Sequence, residues 1–323
     1  NIGAKMGSWF MKYELPSYAN IEVEEGKKAT LQCDGKLMRN NVYIDFDQKS
    51  VIDCNGVQQV IGEGKKVHMY CRDKIMRSNV ALKNFGCEIE DTWEEINQAI
   101  LDGTYRTKYW LGDYKTMTLS TGENVQMQIV AFDTDDRSDD TRKASITWLS
   151  KDLVGTGRWM DRDDVAAYWP TLHSWSSEHN ALRTYVETTL YNQIPENVRN
   201  MITSVKKTFL IASFFQNQHV VPARESTMSV KTWIPSVREL FGDTYAETTG
   251  CDYANFFIDE NSRIKSYNGE VITWWTRSGV DYYDPPSTNG WFYHVDTDGT
   301  QDYLDSGYNM NEYRGVALGF CTG

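Results

Sequence analysis

Residues 271–321 read VITWWTRSGVDYYDPPSTNGWFYHVDTDGTQDYLDSGYNMNEYRGVALGFC. The two ends of this stretch, Ile272–Ser278 and Gly315–Cys321, are apolar and rich in aromatic and β-branched residues. That composition is typical of strands that pack on both faces. We therefore predict that both ends are core strands and that the last strand of the chain closes the scaffold.

The residues between these strands have a different composition. In residues 281–313, 21 of 33 residues are Tyr, Asp, Asn, Ser, His or Gly, the set that adaptable binding surfaces use. Turn chemistry alone would explain Asp, Asn and Gly, but it does not explain the many aromatic residues, which are enriched where proteins contact partners. From Ser278 to Tyr313 there are seven acidic residues and no Lys or Arg. Such a face repels phosphate, so it argues against nucleic acid as a partner.

We predict a ligand-binding face over residues 279–313. Its predicted contact residues are Asp281, Tyr282, Tyr283, Asp284, Trp291, Tyr293, His294, Asp296, Asp298, Tyr303, Asp305, Ser306, Tyr308, Asn309, Asn311 and Tyr313.

Composition divides the chain near residue 90. The 323 residues carry a net charge of −12, which is made up of +1 in residues 1–90 and −13 in residues 91–323, and ten of the eleven tryptophans lie in the second part. A hydrophobic content of 40% is sufficient for a sizeable core. No apolar run reaches the length of a membrane span, so we expect no membrane insertion.

An internal repeat occupies part of the first region. Residues 26–44 and 64–82 match at a period of 38, and each copy reads as a strand, a polar break and a second strand. Because short hairpins are marginal alone, the copies should pack on each other, on the second domain or on sister chains. The predicted organisation is a linker (1–20), a stalk or attachment region of two β-rich repeats (21–90, with copies at about 21–46 and 59–85), and a ligand-binding domain (91–323).

The second domain mixes short helices with strands. Thr92-Trp-Glu-Glu95 forms a capping-box pattern that predicts a helix ending before Gly103. Residues 216–228 are polar and predict a loop. The other predicted helices cover 180–190, 195–201 and 237–241, the last of which ends before Gly242. The predicted strands cover 109–119, 125–132, 146–153 and 207–213. This pattern predicts an α+β fold in which a helix pair covers one side of a sheet.

We identify no catalytic, metal-binding or cofactor-binding residue. The Asp-rich loop 133–140 lacks the EF-hand pattern, which favours a solvated acidic loop over a Ca²⁺ site. Six cysteines include no C-x-x-C pair, and the sequence has no G-x-S-x-G, HExxH or P-loop motif. We therefore expect free, buried thiols and a protein that is not an enzyme. In an oxidising environment the candidates for disulfide pairing are Cys33, Cys54, Cys71 and Cys87.

Four motifs together carry a family resemblance. They are Ile146–Leu153, Ile194–Arg199, Trp233–Gly242 and the ending WWTRS…FYHVDTDG…YRGVALGFC. Over residues 92–321 the chain resembles C-type-lectin-fold domains, distantly akin to the formylglycine-generating-enzyme fold, that are found in gut Firmicutes and their phages. Several members look like the variable proteins of diversity-generating retroelements, in which mutagenesis of Asn codons yields Asp, Tyr, His, Ser and Gly.

The resemblance implies a C-type-lectin-like domain that follows a small β-rich repeat region and whose N- and C-terminal strands meet. It implies a receptor-binding protein of a phage tail, or an adhesin of a bacterial surface, that is located on the virion or outside the cell. Its partner would be a host-cell surface protein or glycan, and we expect assembly with sister chains, as a trimer. Two alternatives stay open: a formylglycine-generating-like oxidase, for which Cys251 and Cys321 are the candidate cysteines, and a non-variable carbohydrate-binding module.

Overall fold

A computed structural model gives the fold of two compact units, residues 1–83 and 84–323. In the first unit the structure describes six strands. In the second it describes residues 88–323 except 110, 156, 161–173, 178–179, 217–218, 243–245, 254–255, 258, 281–291 and 303–313. No helix within these described ranges is long and apolar enough to cross a membrane.

The first unit contains two groups of short strands. They are β1 (Trp9–Met11), β2 (Ala29–Cys33), β3 (Ser50–Cys54), β4 (Val57–Ile61), β5 (Val67–Cys71) and β6 (Lys74–Ile75). Strands β3 and β4 form an antiparallel hairpin, and the others form a sheet in the order β1-β2-β5-β6.

The internal repeat is visible in the pairing of β2 with β5. These strands are parallel, and Ala29 pairs with Val67 while Gln32 pairs with Tyr70. Each residue therefore lies beside its equivalent one repeat later. The leading strands of the two copies pack on each other, whereas the second strand predicted for each copy lies outside the described residues.

The second unit is an α+β fold, as predicted. Its helices are α1 (Trp93–Leu101), α2 (Tyr105–Lys108), α3 (Ala181–Thr184), a π-helix (Tyr185–Leu190), α4 (Tyr191–Gln193), α5 (Glu196–Arg199), α6 (Val237–Phe241) and a 3-10 helix (Glu260–Arg263). Its strands are β7 (Tyr114–Thr118), β8 (Asn124–Phe132), β9 (Ile146–Ser150), β10 (Ile202–Thr203), β11 (Val205–Ile211), β12 (Phe214–Gln216), β13 (His219–Val221), β14 (Arg224–Val230), β15 (Thr232–Trp233), β16 (Ser266–Tyr267), β17 (Glu270–Val271), β18 (Trp274–Gly279), β19 (Phe292–Val295), β20 (Gln301–Asp302) and β21 (Gly319–Thr322).

The main sheet has the order β10-β21-β9-β8-β7, and β15 also pairs with β21. The last strand therefore lies inside the sheet, where it pairs along its length with β9. We expected the first and last strands of the domain to meet, and among the described strands this is wrong. Strands β7, β8 and β9 are consecutive antiparallel neighbours, so β7 lies at the edge of the sheet and β21 pairs with β9 instead.

Side chains alternate between the two faces of the main sheet along its central strands. Both faces carry apolar side chains, and each face is covered by a core. On one face Trp148 and Phe320 pack in a core that includes residues of α1, α3, the π-helix and α5. On the other face Leu149 and Cys321 pack in a second core with Trp233 and with residues of α6, β18 and β19. The prediction that the helix pair covers one side of the sheet is confirmed.

Local capping signals predicted the helix ends well. Thr92 accepts a hydrogen bond from the Glu95 amide, while the Glu95 carboxylate accepts one from the Thr92 amide. Gly103 and Gly242 follow their helices with φ of +70° and +83°, a backbone conformation that glycine adopts without strain. The helix predicted over 180–190 is present, but its second half is π-helical, a change that apolar spacing does not reveal.

The predicted loop over residues 216–228 is wrong. Strands β12 and β13 form a hairpin there, and β14 pairs with β11 over seven residue pairs from Val205–Val230 to Ile211–Arg224. Strand β14 (RESTMSV) is mostly polar and half-exposed. Because it does not bury one face, it lacks the alternation of apolar and polar residues that indicates a strand.

Candidate functional site

The described part of the predicted binding face rests on a three-stranded sheet, β18-β19-β20. All six residues of β18 are buried, and so are three of the four residues of β19. A Cβ atom on Gly279 would lie 2.5 Å from the backbone nitrogen of Ala212, so only glycine lets β18 approach β11 this closely. Gly279 and Val280, at the start of the predicted face, therefore belong to the scaffold.

The strand register brings two boundaries of the predicted face to one end of this small sheet. Gly279 pairs with Phe292, so the segment 281–291 begins and ends at the same place. Strand β20 is antiparallel to β19, with Val295 opposite Gln301 and His294 opposite Asp302. At Asp302 the chain therefore runs toward the end of the sheet that contains Phe292. The segments 281–291 and 303–313 both start from that end of the sheet.

Asp296 and Asp298 build the turn between β19 and β20. The Asp296 carboxylate accepts a hydrogen bond from the Thr297 amide (2.7 Å). The Asp298 carboxylate accepts hydrogen bonds from the Thr300 amide (2.9 Å) and hydroxyl (2.6 Å), which lower the pKa of Asp298. Both residues therefore have a role in turn formation, whether or not they also contact a ligand.

This turn is fixed to the scaffold at Gly299. Its φ is +82°, and a Cβ atom there would lie 1.9 Å from the carbonyl oxygen of Glu260. Arg263, at the end of the 3-10 helix, donates a hydrogen bond to the Gly299 carbonyl (3.0 Å) and another to the Phe257 carbonyl (3.2 Å). The turn is therefore held in one position.

Two further predicted contact residues lie on β19. Tyr293 is half-buried, and its carbonyl accepts a hydrogen bond from Thr276 (2.6 Å). His294 is only 3% exposed and packs edge-to-face on Trp275, with ring centroids 6.3 Å apart. The structure therefore gives His294 a packing position rather than an exposed one.

The other predicted contact residues lie outside the described residues. They are Asp281, Tyr282, Tyr283, Asp284, Trp291, Tyr303, Asp305, Ser306, Tyr308, Asn309, Asn311 and Tyr313. Their assignment to a binding face stays a prediction.

A second arrangement, which the sequence did not predict, is a buried group of charged side chains that includes Arg277 of β18. We define the buried ionic cluster as Asp135, Lys207, Glu239 and Arg277, whose side chains are each at most 1% exposed. Lys207 Nζ lies 2.5 Å from Asp135 Oδ1 and 2.8 Å from Glu239 Oε1. Arg277 donates two hydrogen bonds to Glu239, at 2.6 and 2.8 Å. Two cations thus face two carboxylates in the core.

Neighbouring polar groups complete the hydrogen bonding of the cluster. The Tyr253 hydroxyl lies 3.0 and 3.1 Å from the two Asp135 oxygens, and Thr147 donates to Asp135 Oδ2 at 2.5 Å. The Lys207 ammonium lies 3.5 Å from the ring centroid of Trp233. A fully satisfied network of this kind specifies one arrangement of the elements that carry it.

Mutual attraction outweighs burial in setting the charge states. Burial alone raises the pKa of Asp135 and of Glu239. Lys207 nevertheless holds the pKa of Asp135 below its ordinary value, and Arg277 together with Lys207 does the same for the pKa of Glu239. Burial alone lowers the pKa of Lys207, but Asp135 and Glu239 raise it above its ordinary value. All four groups are therefore charged at neutral pH.

Two of the motifs that carry the family resemblance supply this cluster. Glu239 lies in Trp233–Gly242, where it also completes a capping box with Ser236. Arg277 lies in Trp274–Ser278, and its main chain and side chain bond to the carbonyls of Pro235 and Ile234. These motifs could have indicated a shared core, but the sequence alone did not show that Glu239 and Arg277 meet.

The Asp-rich loop 133–140 is not simply solvated. Asp135 is fully buried in the ionic cluster, whereas the other four carboxylates bond nearer the surface. Asp133 bonds to Arg106, Asp136 to Lys143, Asp139 to Arg137 and Asp140 to Lys206. Asp133 and Asp140 also have positive φ, which Asp tolerates better than most residues. Among the described residues no group of three metal-ligating side chains occurs.

Cys251 and Cys321 both lie near the cluster. Cys251 donates to the Thr134 carbonyl (3.4 Å), and Cys321 lies 3.7 Å from the Thr147 hydroxyl. Burial, reinforced by the charge of Asp135, raises the pKa of both thiols. Nucleophilic cysteines need the opposite shift, because the thiolate is the reactive form.

The fold and its buried cluster define an α+β domain built on a central antiparallel sheet. The chain belongs to the family described as domain of unknown function DUF6273, which it matches over residues 144–317. The matched range includes Lys207, Glu239, Arg277 and the whole of the predicted binding face, and it begins after Asp135. No curated protein and no solved structure matches the chain.

Proposed function

We propose that the chain is a ligand-binding protein in which a C-type-lectin-like domain presents residues 281–313 to a host-cell surface protein or glycan. The protein would belong to a phage tail or a bacterial surface, and a retroelement would diversify the presented residues. Sister chains would assemble through the N-terminal repeats, as a trimer.

One observation carries this proposal. Both ends of the Tyr- and Asp-rich segment 281–291 and the start of the segment 303–313 lie at one end of the small sheet, at Gly279, Phe292 and Asp302. The chain returns from the second segment at Gly315, beside Trp274 at the other end of β18. A rigid floor with variable, polar and aromatic connections is a common arrangement for recognition, because the scaffold positions the loops without depending on their sequence.

The acidic, tyrosine-rich composition limits the ligand class. Aromatic rings with neighbouring carboxylates suit a carbohydrate or a basic protein patch, since rings stack on both sugars and cations. Seven acids without a Lys or Arg from Ser278 to Tyr313 disfavour a phosphate-rich ligand.

Sequencing the locus across a population tests the diversification. We expect substitutions to concentrate in the codons of the predicted contact residues, with a template repeat and a reverse transcriptase nearby, while the codons of β18 and β21 stay constant. A uniform locus would contradict retroelement diversification and leave a non-variable carbohydrate-binding module as the remaining binding hypothesis.

Binding of the full chain to glycan arrays and to bacterial cells tests recognition itself. A variant with Tyr282, Tyr283, Tyr303 and Tyr308 changed to Ser should lose binding while it keeps its melting temperature. The control variant is Glu196→Ser, at an exposed position far in sequence from the predicted binding face. It should bind normally. If instead the chain oxidises cysteine peptides and Cys251→Ala abolishes that activity, the oxidase alternative replaces this proposal.

A further inference from the structure

The closest contact in the buried ionic cluster joins an amine to a carboxyl group. Lys207 Nζ lies 2.5 Å from Asp135 Oδ1, and both side chains are at most 1% exposed. The carboxyl carbon Cγ is one bond beyond that oxygen, so the amine is placed for attack with little movement. Holding two reacting groups this closely converts a slow bimolecular reaction into an intramolecular one.

The groups around this contact match the needs of amide formation. Glu239 Oε1 lies 2.8 Å from Lys207 Nζ and can accept a proton from it. Thr147 and Tyr253 donate hydrogen bonds to the Asp135 oxygens, where negative charge would develop during attack. The ring of Trp233 covers the amine and helps to exclude water, which would otherwise favour hydrolysis.

Charge balance also favours the condensed product. Arg277 already neutralises Glu239 through two hydrogen bonds. Converting Lys207 and Asp135 into a neutral amide removes one buried cation and one buried anion and leaves the Arg277–Glu239 pair balanced. Because buried charges carry a large desolvation penalty, this exchange relieves a cost that the ion pair must bear.

We propose that Lys207 and Asp135 condense without an added enzyme into an isopeptide bond, with Glu239 as the proton shuttle. The reaction starts from the ion pair. Glu239 carries one proton from the ammonium group to an Asp135 oxygen, and the neutral amine attacks Cγ. The Nζ–Cγ bond forms, a second proton passes from Nζ through Glu239 to the departing oxygen, and a Cγ–O bond breaks to release water. No oxidant or reductant is needed, and Glu239 is regenerated.

The bond would clamp the Asp-rich loop to β11. It is independent of the ligand, so the proposed binding function and this modification can fail separately. A covalent clamp would suit a displayed protein in which Cys251 and Cys321 are free thiols.

Mass spectrometry of the intact natural chain decides the proposal. We expect a mass lower than that of the sequence by one water molecule, and a tryptic product that joins the peptides of Asp135 and Lys207. A mass equal to that of the sequence after prolonged incubation of the folded protein would overturn the proposal and leave a standing ion pair.

Three variants test the roles of Lys207, Asp135 and Glu239. For each variant, the measured mass is compared with the mass calculated from its sequence. Lys207→Arg keeps a cation but should show no loss of mass, whereas the control Lys206→Arg should still lose water. Asp135→Asn should lose ammonia instead of water, because the carboxamide nitrogen leaves as ammonia when the Nζ–Cγ bond forms. Glu239→Gln should stop or greatly slow the reaction, and an unchanged rate would overturn its role as the shuttle. If a variant does not fold, the mass of the natural chain still decides the main point.

Discussion

Two sets of carboxylates in the second unit are held in opposite ways. Asp135 and Glu239 are buried in the ionic cluster and bond to cations far away in the sequence, with Lys207 72 residues from Asp135. Asp296 and Asp298 lie in the turn after β19 and bond to groups one or two residues away. The comparison shows that an Asp-rich stretch can supply either a long-range core contact or a local turn, and that only the core contact depends on the whole fold.

The largest expected effect comes from breaking the buried cluster. Arg277→Ala leaves Glu239 without its bidentate partner, and removing one member of a buried ion pair costs about 3–5 kcal/mol. That loss is a large share of the stability of a typical domain. The measurement is the free energy of unfolding in denaturant.

Lys206→Ala is the matched control for Arg277→Ala. Lys206 pairs with Asp140 at the surface, where both side chains are well exposed, and such pairs contribute at most about 1 kcal/mol. Equal effects of the two changes would show that the cluster does not hold the core together.

Affinity should respond to aromatic residues of the predicted face. Trp291→Ala or Tyr293→Ala should each weaken binding by about 1–4 kcal/mol if they are hot spots, without unfolding the domain. The readout is the dissociation constant for the cell or glycan that the natural chain binds, together with the melting temperature. A variant that unfolds would assign that residue to the core, like His294.

A substitution at Gly299 should disturb the turn between β19 and β20. Gly299→Ala combines a positive φ with a clash against the Glu260 carbonyl, and should cost roughly 1–3 kcal/mol of unfolding free energy. Gly122→Ala has a similar φ of +88° but no atom within 4 Å of the added Cβ. If both changes cost the same, the close contact with Glu260 does not fix the turn.

A second buried lysine, Lys265, contrasts with Lys207 and makes stability depend on pH. Lys265 bonds to the carbonyls of Ser150 and Lys151 rather than to a carboxylate, and burial lowers its pKa to about 8. Between this value and the pKa of 10.5 in the unfolded chain, the unfolded state binds more protons. The stability contributed at this site therefore rises with pH in that window, by roughly 1 kcal/mol per pH unit.

Lys265→Met tests this slope. Unfolding in denaturant at several pH values between 8 and 10 should show a rising contribution in the natural chain that the variant lacks. An identical pH dependence in both proteins would mean that Lys265 keeps its proton when the domain folds.

The smallest expected effect concerns Asp298. Asp298→Asn keeps a hydrogen-bond acceptor for Thr300, so the melting temperature should stay close to that of the natural chain, whereas Asp298→Ala should lower it slightly. If the Asn variant also binds normally, Asp298 serves the turn alone. Loss of binding with an unchanged melting temperature would make its charge a ligand contact.

The features that could be predicted from the sequence are those that depend on neighbouring residues. The capping box at Thr92, the glycine stops after α1 and α6, and the apolar ends that became β18 and β21 all depend on neighbouring residues. The ionic cluster could not be predicted in this way, because nothing near Asp135 in the sequence indicates Lys207. Strand β14 was missed because an exposed ribbon needs no apolar face. The scaffold strands beneath the predicted binding face were expected from composition, while the positions of Gly279, Phe292 and Asp302 at one end of the small sheet required the strand register.

The interior position of β21 affects how the protein is made. Strand β9 and its neighbour β21 are far apart in the sequence: the hydrogen bond between Trp148 and Thr322 spans 174 residues. Ribosomes therefore synthesise β9 long before the strand that pairs with it. Until β21 is released from the exit tunnel, the apolar strand β9 has an uncovered edge, and uncovered edges invite association with other chains. The strand that protects β9 is therefore made late, and chaperone demand should be greatest just before β21 emerges.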